Sequence, residues 1–337
     1  MQANSHPQKQ KKEVDVIIPC YNAEACLPRA LGSVFAQSYT DFYVYAVDDG
    51  STDGTYQVLK SNSHRCSFVS QPHAGPAAAR NRAIRMSDSP FVAFLDADDE
   101  WVPKKLERQI SLLKRDPSLG MVSSFCWISG PGMERWAISL AYGVPSSGRL
   151  FRRLLRNRFV FTSTVVVRRH CLEEVGLFNE SLAVNEDFNL WLRIAAHWRT
   201  AFMTDVLAVV HDPPRTMSAS ISPEEWLKSE VVALEHVRSS CPELPLGAAL
   251  ALQNALAVRT CSYGSFLLSI GAKASARREL LNALLLQPAL WRALARLGLS
   301  FLPTGVANSF EARTARLPRQ TSSGNLSPLA SRDASSI

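Results

Sequence analysis

The chain has 337 residues, 46% hydrophobic and 20% charged, with a formal net charge of +7. Those values exclude a disordered or fibrous protein and allow one large domain or two modest ones. The charge is local: residues 251–337 hold ten basic and three acidic residues, whereas residues 1–250 hold 27 of each. A neutral first 250 residues argues against nucleic-acid binding.

Seven cysteines occur, an odd number with no CxxC pair, which argues against a disulfide framework or a zinc ribbon. They are expected to be free thiols in a reducing compartment. The N-terminus lacks an apolar stretch behind its basic residues and does not read as a signal peptide. No run of about 18 apolar residues predicts a membrane span. The protein is therefore expected to be cytoplasmic, with peripheral contact at the inner face of the membrane left open.

Residues 1–12 read as a flexible tail. Val14 to Pro19 is an apolar strand. Leu27, Ala30, Leu31, Val34 and Phe35 then repeat at helical spacing. Phe42 to Val47 is a second strand and runs into the polar loop Asp48-Asp49-Gly50-Ser51-Thr52-Asp53-Gly54. A helix from Thr55 to Ser61 and a strand from Cys66 to Ser70 follow. Gly75-Pro76 opens a helix through Met86. Phe91 to Leu95 is a fully apolar strand ending at Asp96-Ala97-Asp98-Asp99, and Lys104 to Arg115 is a helix with Pro103 at its start. This alternation predicts an open α/β sheet with right-handed crossovers. Ligands of such sheets bind at the carboxyl ends of the strands, where both acidic clusters fall.

Beyond residue 120 the pattern is mixed. Thr162 to Val167 reads as a strand, His170 to Val175 as a short helix ended by Gly176, and Phe188 to Ala196 as a helix preceded by Asn185-Glu186-Asp187. After Pro213-Pro214 helices dominate to about residue 302. Residues 318–337 are Ser-rich and polar.

The acidic clusters carry the chemistry. Asp48-Asp49 suits a tight turn, a metal, a ribose or a base edge. Three carboxylates within four residues at Asp96, Asp98 and Asp99 repel one another, and a divalent cation shared with phosphates would offset that. A solvated loop capping the next helix is the alternative. Asn185-Glu186-Asp187 suits either a helix start or a general base. His211 is either a structural histidine or a metal or phosphate contact. Arg80 lies on a helix that starts at a strand end, on a solvated face or toward a ligand.

Four stretches in order, VDVIIPCYNAEACLPRALGSVFAQSY, VDDGSTDGT, GPAAARNRAI and FVAFLDADDEWVPKKLERQI, strongly resemble family 2 glycosyltransferases of the GT-A fold. A fifth, VVVRRHCLEEVGLFNESLAVNEDFNLWLRIA, resembles the acceptor-side half of that family. The likeness covers about residues 14–220. It implies a GT-A type open, mostly parallel sheet flanked by helices, with a C-terminal α-helical extension. It also implies an inverting transfer from a nucleotide-sugar, often a UDP-sugar, to a hydroxyl of a saccharide or lipid-linked saccharide, with Mn²⁺ or Mg²⁺ as cofactor.

By the same resemblance Pro19, Tyr21 and Asn22 line the base pocket, Asp49 bonds the base and Arg80 contacts the nucleotide. Asp98 lies near the ribose and, with Asp99, forms the metal motif. Asp187 is the catalytic base, and His211 is a further metal-side residue. Two departures stand out. Gly176-Leu177 replaces the family's Gly-Gly before Phe, and Val209-Val210-His211-Asp212-Pro213-Pro214-Arg215 replaces its Arg-x-His segment.

The implied organisation is a tail over 1–12 and a catalytic domain over 13–222. Within the domain, residues 13–120 bind the nucleotide-sugar and residues 121–222 form the acceptor side. A helical extension follows over 223–305, then a disordered tail over 306–337. The rivals are a sugar-nucleotidyltransferase, which would show a basic Gly-rich phosphate loop, and a dehydrogenase, which would show GxGxxG after a strand. A third is a nucleotide-binding scaffold lacking a catalytic carboxylate. In 280–302, Leu290, Leu294, Leu297 and Phe301 share one helical face with Arg292 and Arg296 on another. That pattern fits either an interfacial helix on anionic lipid or a helix packed against protein.

Overall fold

A computed structural model describes residues 12–130, 133–137, 150–211 and 221–302. The tails expected over 1–12 (Lys12 apart) and over 306–337 lie outside the described residues. The chain divides into two compact units, residues 1–260 and 261–337.

In the first unit the strand–helix alternation appears as predicted. Strands β1 (Val14–Cys20), β2 (Phe42–Asp48), β3 (Cys66–Ser70) and β4 (Phe91–Phe94) are joined through helices α1 (Leu27–Phe35), α2 (Thr55–Ser61) and α3 (Pro76–Arg85). They pair in parallel in the order β3-β2-β1-β4. Beyond them lie β5 (Glu100–Trp101), α4 (Lys105–Arg115), β6 (Leu119–Gly130) and β7 (Met133–Ala137). Next come α5 (Phe151–Arg156), β8 (Val166–Arg168), α6 (Arg169–Val175), α7 (Glu186–His197) and β9 (Arg199–His211).

The sheet continues β4-β8-β6-β9-β5, with β7 on β6, so nine strands form one layer. Its second half is mixed rather than parallel, because β8 runs against both β4 and β6. A short strand entering from a nearby turn can pair antiparallel without a crossover helix.

Both sheet faces are covered, as a largely parallel sheet requires. Val14, Val16 and Ile18 of β1 pack against Leu27, Leu31 and Val34 of α1 and Leu106, Ile110 and Leu113 of α4. Ile17, on the opposite face, packs with Ala83 and Ile84 of α3 and Leu190, Trp191 and Ile194 of α7. The strand predicted over Thr162 to Val167 begins only at Val166; residues 162–164 form a 3-10 turn instead. Helix α8 (Pro223–Ser240) opens with a capping box between Ser222 and Glu225 and belongs to this first unit.

Helix α9 (Leu246–Ser269) runs into the second unit, which adds α10 (Lys273–Leu286) and α11 (Trp291–Leu299). Its small core joins Cys261, Leu280, Ala283 and Ala293. Arg277 ties α10 to the end of α11 by donating to the Ser300 carbonyl at 2.8 Å. No helix among the described residues is long and apolar enough to cross a membrane.

Candidate active site

The carboxyl ends of β1, β2 and β4 open on a cleft of about 1170 Å³. Pro19, Tyr21, Asn22, Asp49, Arg80, Asp98, Asp99, Asp187 and His211 all line it. Residues up to 192 positions apart in sequence, Pro19 and His211, thus share one wall system because the strand ends converge there.

At the β1 and β2 ends two loops are laced together. Asn22, at φ 48°, accepts the Thr52 N–H at 2.8 Å through its side-chain oxygen, and its own N–H donates to Ser51 at 3.0 Å. Asp49 is buried, and its carboxylate accepts the N–H groups of Ala74 at 3.0 Å and Gly75 at 2.8 Å and the Gln71 amide at 2.6 Å. It therefore shapes the turn that starts α3. His73 lies 2.9 Å from Asp49 and stacks on the exposed Tyr21 ring, centroids 4.1 Å apart. Tyr21 and His73 form an aromatic platform beside a fixed carboxylate, a surface on which a nucleobase can stack.

At the β4 end the three carboxylates are differently held. Asp96 accepts from Arg80 at 2.7 Å. Asp99 accepts from the Ser163 hydroxyl at 2.5 Å and from the His211 N–H at 3.0 Å. Burial, then the neighbouring Asp96 charge, raise the Asp98 carboxyl above its ordinary range. Burial, then Asp96 and Asp98, hold Asp99 well above it. Such crowding favours anything positive that binds there.

Among the described residues no three His, Cys, Asp or Glu side chains gather into a metal-binding group. The imidazole of His211 donates to the Glu100 carboxylate, 2.8 Å away, and it is the His211 backbone N–H that meets Asp99. What is present fits a hard cation that takes one or two carboxylate oxygens and draws its other ligands from phosphate and water.

Asp187 lines the same cleft from the first turn of α7. One of its oxygens accepts the Thr162 hydroxyl at 3.1 Å, and the other accepts the Phe188 N–H at 2.6 Å. Asn185 before it takes φ 67° and makes no side-chain cap. Its side-chain oxygen accepts from Arg158 instead.

Sequence reasoning singled out Arg80 without pairing it to its acidic partners, and it missed the residues of the 162–164 turn that hold the carboxylates. Arg80 is buried and bridges Asp96 and Glu186, the latter at 2.8 Å. It turns inward between two acids rather than onto a solvated face. Burial, then the neighbouring Asp187 charge, raise the Glu186 carboxyl, while Arg80 opposes them. The turn over 162–164 places Thr162 on Asp187 and Ser163 on Asp99, and Ser163 also accepts the Asp96 N–H at 3.0 Å. Behind it Trp101 donates to the Ser163 carbonyl and Gln109 to the Thr164 carbonyl, both at 2.8 Å. The acidic partners of Thr162 and Ser163 are distant in sequence, so the Thr-Ser-Thr run carried no local signal of this role.

The profile of Glycosyl transferase family 2 matches residues 15–176. A UDP-Glc:alpha-D-GlcNAc-diphosphoundecaprenol beta-1,3-glucosyltransferase of Escherichia coli, WfgD, is 32% identical over 183 residues, 54% of this chain and 69% of its own length. An amylovoran biosynthesis glycosyltransferase of Erwinia amylovora, AmsB, is 29% identical over 200 residues, 53% of this chain and 62% of its own. Among solved structures, S. aureus TarS 1–349 in complex with UDP-GlcNAc superposes with a TM-score of 0.68 at 19% identity. That match covers 89% of this chain and 92% of TarS 1–349. A mannosyltransferase from Pyrobaculum calidifontis in complex with GDP-Man and Mn²⁺ gives a TM-score of 0.51 at 20% identity, covering 90% and 88%. The structural matches show the fold, and the sequence matches add the kinship: the chain belongs to the family 2 glycosyltransferases and is a glycosyltransferase.

Proposed function

We propose that this enzyme is an inverting, metal-dependent glycosyltransferase. It moves a sugar from a UDP-linked donor to a hydroxyl of a saccharide or lipid-linked saccharide during cell-surface glycan assembly. The observation that carries this reading is the convergence of a stacking platform, a crowded acidic pair and an independently held carboxylate on one cleft. The lipid-linked acceptor named for the Escherichia coli relative supports the acceptor class. In this reading the enzyme works at the cytoplasmic face of the membrane, touching it through 280–302.

Pro19, Tyr21 and Asn22 shape the base pocket, and Asp49 fixes the turn against which the base lies. Asp98 and Asp99 would hold Mn²⁺ or Mg²⁺, which when bound neutralises charge on the departing diphosphate. His211 supports that end through its N–H to Asp99. Arg80 keeps Asp96 engaged, leaving Asp98 and Asp99 for the donor side. Asp187 takes the proton from the acceptor hydroxyl as that oxygen attacks from the face opposite the leaving group.

A panel of nucleotide-sugars with Mn²⁺ or Mg²⁺, read by nucleoside diphosphate release, tests the donor and the cofactor together. Asp187→Asn should lower kcat by about 10²–10⁴ while nucleotide binding persists. Nucleotide binding without turnover of any donor would favour a non-catalytic scaffold.

A further inference from the structure

The second unit carries an unpartnered apolar edge. Its inward side is settled by Leu280, Ala283 and Ala293. The outward side of α10 presents Leu281, 49% exposed, and Leu285, 81% exposed; that of α11 presents Trp291, 70% exposed, and Leu294, 62% exposed. Leu285 lies in the last turn of α10 and Trp291 begins α11, with only residues 287–290 between, so all four side chains belong to one helical hairpin end. In α10, Arg278, Leu281 and Leu285 follow at i, i+3 and i+7, one exposed stripe. Arg292 sits with its guanidinium 5.6 Å from the Trp291 ring centre.

A monomeric soluble protein rarely leaves such side chains together in water. Charge selects the occupant. Residues 261–302 contain Lys273, Arg277, Arg278, Arg292 and Arg296 against a single acid, Glu279. Lys273 and Arg277 are spent inside the unit on the carbonyls of Leu302 and Ser300. Arg278, which pairs with Glu279 at 3.1 Å but stays exposed, and Arg292 lie beside the apolar stripe. Leu, Trp and Arg on a protruding helical edge match the boundary between acyl chains and anionic headgroups, where Trp sits at headgroup depth and each arginine gains from the surface potential.

We propose that the α10–α11 hairpin end is a membrane-docking surface for anionic phospholipid, inserting Leu285, Trp291 and Leu294 with Arg278 and Arg292 among the headgroups. This deepens the peripheral contact proposed above but is independent of the transfer chemistry.

The full chain is floated with vesicles of phosphatidylcholine alone and with about one third phosphatidylglycerol added. Binding to the anionic vesicles should be about tenfold tighter than to the neutral ones and should weaken with salt. The exposed triple variant Leu285→Ser, Trp291→Ser, Leu294→Ser should lose about tenfold or more of it, and Arg278→Glu with Arg292→Glu should abolish the preference for anionic lipid. UDP titration and thermal melting of each variant should match the parent, which separates this test from that of the transferase reading. The proposal is overturned if the parent binds neither vesicle or if the triple variant floats like the parent. It is also overturned if sedimentation shows a dimer that the triple variant splits, which would assign the surface to a second copy.

Discussion

Arg80 is the side chain on which the two walls of the cleft depend. It is 5% exposed and its two terminal nitrogens are divided between Asp96 and Glu186. Removing it leaves the buried Glu186 carboxylate without its partner, facing the partly exposed Asp96. Arg80→Met should therefore destabilise the first unit by about 3–5 kcal/mol, read as a lowered urea midpoint. Thr162 has a different signature. Its hydroxyl donates to Asp187 at 3.1 Å. Thr162→Val should lower kcat about tenfold with the donor KM unchanged, and Thr162→Ser should restore it. Neither role was legible in the sequence. The partners of Arg80 lie 16 and 106 residues away, and a Thr-Ser-Thr run followed by three valines reads as strand until its hydroxyls are claimed by distant acids. Asn185 was legible only as a helix start. Its left-handed backbone frees the side chain for Arg158, an arrangement that no local preference announces.

The elements of the first 120 residues, by contrast, stood out. Each strand of β1 to β4 is short, apolar and bounded by turn residues, and each helix shows one apolar stripe. Beyond that point β6 buries Ser123 and Ser124 within an otherwise apolar run, and its register with β9 shifts between Ser124 and Phe125. Those breaks blur a two-residue period. The loop after β2 gives a sharp test of an element's geometry. Gly50 has φ 78°, and a Cβ there would come within 2.8 Å of the His73 backbone nitrogen. Gly50→Ala should cost about 1–3 kcal/mol and weaken UDP binding by displacing His73 from Tyr21, measurable by melting and by titration.

At the scale of the whole molecule, the +7 charge resolves into two parts. The neutral stretch over 1–250 supplies the cleft, and the basic excess begins close to the boundary at residue 261. The seven thiols divide by exposure. All are free, and only Cys26 is partly exposed, at the cleft rim. Burial, then the Asp98 charge, raise its pKa, so the thiolate is scarce at neutral pH and grows only as pH climbs above the ordinary thiol range. Iodoacetamide should label Cys26 alone and slowly in the native protein, faster with rising pH and more slowly with UDP bound. Rapid modification of several thiols without denaturant would contradict this.

The antiparallel strand β8 has a consequence for how the chain reaches this structure. During synthesis β1 to β4 emerge together, yet the outer edge of β4 waits for Val166–Arg168. Until then Phe91, Val92, Ala93 and Phe94 present an apolar, unpaired edge. Arg80 waits as well, since Glu186 arrives later still. Residues 13–120 cannot mature ahead of residues 121–222. A ribosome stalled near residue 120 would hold a sheet whose open side is a template for its neighbours, and release of that fragment should lead to aggregation rather than to a smaller folded domain.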